Sequence, residues 1–95
     1  MKINPDNIAE RIISIWDTGL KDEEKVMEII QSEFHITEDD VEWIFERIKI
    51  GFFRAQFKIA GEKYPKNNLD NDPYVRSALK IGLRNLGYKP RWKFW

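Results

Sequence analysis

From Ile36 to Gly61 the chain reads ITEDDVEWIFERIKIGFFRAQFKIAG, the longest uninterrupted helical pattern in the sequence. Val41, Ile44, Phe45, Ile48, Phe52, Ala55 and Ile59 recur at i, i+3, i+4 and i+7, which places them on one broad stripe that must face a core. Trp43, Ile50, Phe53 and Phe57 form a second apolar stripe on roughly the opposite side, with charged seams between the two. Thr37 is a suitable N-cap, Asp40 stands where the capping-box acid belongs, and Ile36 is placed to staple onto Val41. The pattern therefore predicts a long central helix over 38–60. A helix apolar on two sides is either sandwiched within its own domain, the simpler account, or meets a partner along the second stripe.

Three further helices are predicted around it. Asn4 as N-cap, Pro5 at the first helical position and Ile3 opposite Ile8 open a helix over 5–18, with Ile8, Ile12, Ile15 and Trp16 on one face, Ile13 beside them, and Gly19 closing it. Asp22, Glu23 and Glu24 put negative charge at the start of a second helix over 22–34, whose buried face is Val26, Ile29, Ile30 and Phe34. The link to Thr37 is short, so the second and third helices must turn sharply against each other. EKYPKNNLDNDP after Gly61 reads as the one long loop. Asp72 and Pro73 then open a fourth helix over 73–86, with Val75, Ala78, Leu79, Gly82 and Leu86 on one face and Gly87 at its end. Gly82 inside that helix costs about 1 kcal/mol relative to alanine and so points to a close helix crossing. The tail YKPRWKFW alternates basic and aromatic residues; it is expected to fold back with Trp92 and Phe94 on the helices, and a short strand there is compatible with the pattern. The expected fold is all-α, one domain over 1–95, a compact four-helix bundle with a long third helix and an aromatic C-terminal tail.

Composition changes this picture little. Ninety-five residues suffice for one core, and four Trp, six Phe and three Tyr supply much of its burial. The absence of cysteine removes disulfides, thiolate metal sites and thiol nucleophiles, and fits a reducing cytoplasm. No signal-like apolar region and no membrane-length apolar run occurs, so no membrane role is expected.

Charge changes it more. The formal net charge is zero, yet up to Ile50 thirteen acids face six bases, and from Gly51 onward ten bases face three acids. Such a split is either internal, with the two halves packed charge against charge, or a pole for an oppositely charged partner.

Candidate chemistry is sparse. His35, the only histidine, has no companion set for catalysis or metal binding and is expected at a helix C-terminus. Asp70, Asn71 and Asp72 resemble the start of a calcium loop, but Pro73 interrupts it and the glycine and terminal glutamate are missing, so the stretch reads as a turn and an N-cap. The scattered glycines make no phosphate-binding loop. A non-enzyme without cofactor or metal is expected.

Two surfaces remain. Glu38, Asp39, Asp40, Glu42 and Glu46, with Glu23, Glu24 and Glu28 near in sequence, form the densest acidic patch, and Trp43 and Phe53 on the neighbouring stripe are aromatic anchors of the hot-spot kind. The expected partner-binding set is Glu38, Asp39, Glu42, Trp43, Glu46 and Phe53, and the expected partner is a basic protein. In size, helical content and acidic face the chain is similar to small inhibitors of basic enzymes, such as immunity proteins that neutralise nuclease toxins; no motif is involved in that likeness. The alternative is a nucleic-acid-binding regulator using Arg54, Lys58, the row Arg76, Lys80 and Arg84, and the tail bases Lys89, Arg91 and Lys93 with Tyr88, Trp92, Phe94 and Trp95.

Overall fold

The computed structural model describes residues 3–63 and 69–87. Four helices follow one another: α1 (Pro5–Asp17), α2 (Glu23–Phe34), α3 (Glu38–Ile59) and α4 (Pro73–Asn85). Each begins on a side-chain cap. Asn4, Asp22 and Asp72 accept from the amide two residues on, Thr37 Oγ1 accepts from Asp40 N at 3.1 Å, and proline fills the first position of α1 and α4.

The helix ends share one device and differ at one place. Gly19, Gly61 and Gly87 follow α1, α3 and α4 with positive φ. After α2 the same left-handed position is taken by His35 at φ 54°, and Ile36 N closes the turn onto Gln31 O. The histidine thus sits at a helix C-terminus, where it was expected. It holds a conformation that costs an L-residue roughly 1–2 kcal/mol.

Ile8, Ala9, Ile12, Ile13 and Ile15 of α1, Val26 and Ile30 of α2, Val41, Ile44, Phe45 and Ile48 of α3, and Ala78 and Ile81 of α4 make one buried cluster. Trp16 closes it, edge-on to Phe45 at 5.7 Å and tilted against Phe52 at 5.3 Å. The most extensive helix contact is between α3 and α4, where small residues meet. A Cβ on Gly51 would overlap the Val75 carbonyl oxygen and stand 2.5 Å from the Cβ of Ala78, and one on Gly82 would stand 3.0 Å from the Cβ of Ala55. The crossing inferred from Gly82 is present, and Gly51 is its tighter half.

Some expected core positions lie elsewhere. Ile59 and Leu86, placed on buried faces by periodicity, are exposed, because Ile59 is the last residue of α3 and Leu86 the cap just past α4, both beyond the crossing. The second stripe of α3 is only partly covered: Phe53 is 57% exposed and Trp43 47%, while Ile50 and Phe57 are half-buried. The expected docking of Trp92 and Phe94, and a strand in the tail, fall on residues outside those described. Among the described residues no helix is long and apolar enough to cross a membrane.

Two outcomes follow for stability. Gly51→Ala, despite the gain in helix propensity, is expected to lower stability by about 2 kcal/mol, within the range for overpacking, because backbone rather than a mobile side chain blocks the new methyl. Gly82→Ala meets the movable Phe52 ring and should lose less; urea denaturation of both gives the order. His35→Gly should raise the urea midpoint while His35→Ile lowers it, since only the first relieves the left-handed position.

Candidate protein-binding surface

Along α3 the predicted binding residues divide into two groups. Glu38 and Glu42, one turn apart, line a groove of about 340 Å³ between α2 and α3, and Glu24 and Glu28, one turn apart on α2, line it with them. Met27, Gln31 and Val41 complete the lining. No cation pairs with these four carboxylates among the described residues. They do not converge on a point: among the described residues no group of three or more acidic, histidine or cysteine side chains could hold a metal ion.

Glu46 belongs to a different environment. Lys49 Nζ lies 3.3 Å from it and 3.2 Å from Glu23 of α2, so a lysine bridges the two helices at the inner end of the acidic region. Burial works against the charge of that lysine, but the bonds to the two carboxylates outweigh it and hold its pKa above the ordinary value. Asp39 is exposed in the first turn of α3, where the helix dipole accommodates a negative charge.

Trp43 is built into the α3–α4 junction. The guanidinium of Arg47 lies 3.6 Å from the centre of its ring, and Tyr74 meets it edge-on at 5.6 Å. Arg47 Nε also donates to Asp72 Oδ2 at 2.9 Å, while Oδ1 of the same aspartate caps α4. Burial, then Asp72 and Asp40, push the Tyr74 hydroxyl pKa up. Phe53 stands ten residues further along, about 15 Å of helix rise, with its ring 4.7 Å from that of Phe57. Trp43 and Phe53 are therefore not one anchor.

Part of the opposite charge pole is paired within the fold. Lys80 Nζ is 2.8 Å from Asp6 and Arg84 Nη2 is 3.0 Å from Glu10, so two of the three basic residues of α4 are paired with α1. Arg54, expected as a phosphate contact, is only 5% exposed and donates to Asp70 at 2.6 Å, which makes it a structural residue of the α3–α4 junction. Of the row, Arg76 has no carboxylate partner among the described residues. Lys89, Arg91 and Lys93 lie outside the described residues. Met27 and Gln31 were missed because a single polar–apolar alternation on a short helix does not show which of its residues border a neighbouring helix.

Comparison with protein-family models, with curated proteins and with solved structures finds no match to this chain.

The Asp6 carboxyl is held below the ordinary aspartate range by hydrogen bonds from Lys80 and Ser77, which outweigh its partial desolvation. A lowered folded-state value means that its contribution to stability is complete above the unfolded value of about 3.9 and is lost as pH falls through the folded one. Thermal melts should accordingly show Asp6→Asn less stable than wild type at pH 7, with the difference closing as pH falls through the folded-state value. A difference that persists undiminished into acid would assign the effect of Asp6 to something other than its charge.

Proposed function

We propose that this chain is a protein-binding module that receives a basic segment of a partner in the α2–α3 groove. The observation that carries the reading is the pair of carboxylate ranks, Glu24 with Glu28 on α2 and Glu38 with Glu42 on α3, lining one groove with Met27 and Gln31 and with no cation paired to any of the four among the described residues. Uncompensated charge of one sign attracts the opposite charge at long range, and the half-buried Met27 in the groove offers an apolar contact on arrival. A small acidic inhibitor of a basic enzyme, for instance a nuclease, is the class that this combination suits best. A cysteine-free sequence is compatible with work in a reducing cytoplasm. Binding without catalysis, and without a cofactor, completes the reading.

The pairing of Lys80 with Asp6 and of Arg84 with Glu10 weighs against the nucleic-acid alternative, since it offsets part of the positive charge that a phosphate backbone would meet on α4.

A synthetic amphipathic helix with Lys and Arg on its polar face and a leucine row between them serves as a probe. Calorimetry should register binding that weakens with added salt, and Glu38→Lys with Glu42→Lys should reduce affinity about tenfold or more, equivalent to ~1.4 kcal/mol. The same reversal at Asp39 and Glu46, outside the groove, should cost less. A short oligonucleotide shifted at low salt by the wild type but not by an Arg76→Glu, Lys80→Glu variant would replace this reading with the nucleic-acid one.

A further inference from the structure

Beside the α3–α4 crossing lies a second cleft, of about 550 Å³, the size of a small-molecule site, and its charge has the opposite sign to that of the α2–α3 groove. Arg54 and Lys58, one turn apart on α3, and Arg76 on α4 line it from both helices, and Lys63 joins them just past the end of α3. Against these four bases the lining holds two acids, Glu62 and Asp70, which leaves a net charge of +2. Arg54 is buried and held by Asp70, so its charge acts from surroundings less polar than water. Lys63 and Arg76 are exposed, and neither is paired with a carboxylate among the described residues. Leu79, half-buried and one turn on from Arg76, adds an apolar wall.

We propose that this cleft binds a small phosphate monoester whose apolar body lies against Leu79. The charge count selects the head group. A monoester carries close to two negative charges at neutral pH, which the net +2 of the lining balances, whereas a carboxylate would balance half of it. Its oxygens can be shared among bases that come from two helices, and a guanidinium such as that of Arg76 matches a phosphate with two parallel N–H donors. The cleft shares no lining residue with the α2–α3 groove, so either site can fail without the other.

Phenyl phosphate is the probe. Isotope-labelled full chain is titrated with it and followed by amide chemical shifts at about pH 7.5, where the monoester is a dianion. Shifts at Lys58, Lys63, Arg76 and Leu79 should saturate together. Phenyl phosphate should bind about tenfold more tightly than inorganic phosphate, which has nothing to lay on Leu79, and than benzoate, which has one charge fewer. Lys63→Gln with Arg76→Gln, both at exposed positions, should weaken it about tenfold with circular dichroism unchanged. Arg84→Gln, the same loss of charge on α4 but outside the cleft, should leave binding within about twofold of wild type. Shifts that climb without saturating or spread over the basic surface would overturn the proposal. So would benzoate or inorganic phosphate bound as tightly as phenyl phosphate, wild-type affinity in the Lys63→Gln, Arg76→Gln variant, or an equal loss in Arg84→Gln.

Discussion

The α3–α4 crossing is the constraint on which the other contacts depend. Two backbones come together only where side chains are small, and here Gly51 and Ala55 on one helix meet Ala78 and Gly82 on the other. That approach drives Ala78 and Ile81 into the cluster formed by α1, α2 and α3. It also fixes where the polar side of α4 falls. Lys80 and Arg84 come to rest beside Asp6 and Glu10, Ser77 reaches Asp6, and Asn85 reaches Asp17. Exposed ion pairs of this kind are each worth about 0–1 kcal/mol, so they follow the packing and do not create it.

The distribution of charge has the same origin. The opposite signs of the two halves of the sequence are partly cancelled along the α1–α4 seam and at the α3–α4 junction, where Arg47 meets Asp72 and Arg54 meets Asp70. Apart from the bridge of Lys49 to Glu23 and Glu46, the facing edges of α2 and α3 meet no comparable supply of bases among the described residues. Topology contributes to this: α4 packs on α3 and α1, and its Lys80 and Arg84 are taken up by acids of α1.

Local chemistry made most of the fold readable in the sequence. Caps at Asn4, Thr37 and Asp72, prolines at helix starts and glycines past helix ends fix boundaries within a residue or so, because each acts through neighbours in the chain. Properties set by distant residues were not readable in the same way. Gly51, between Ile50 and Phe52, gives no sign of the helix that presses on it. Arg54 lies on an amphipathic helix like any solvated base until Asp70 arrives across a loop. Ile59 and Leu86 keep the period of a core face past the point where there is anything to pack against. In the candidate site, Glu38 and Glu42 were recognisable from charge density, but their grouping with Glu24 and Glu28, and the separation of Trp43 from Phe53, depend on how α2 and α4 are laid against α3.

Asp70 and Asp72, the residues that receive Arg54 and Arg47, stand immediately before α4. The return of the chain to α3 is thus latched by side chains at its arrival point, and Asp72 serves two ends at once, holding Arg47 with one oxygen and the first amides of α4 with the other. The direction in which α4 sets out is therefore tied to α3 before any apolar residue of α4 is in contact.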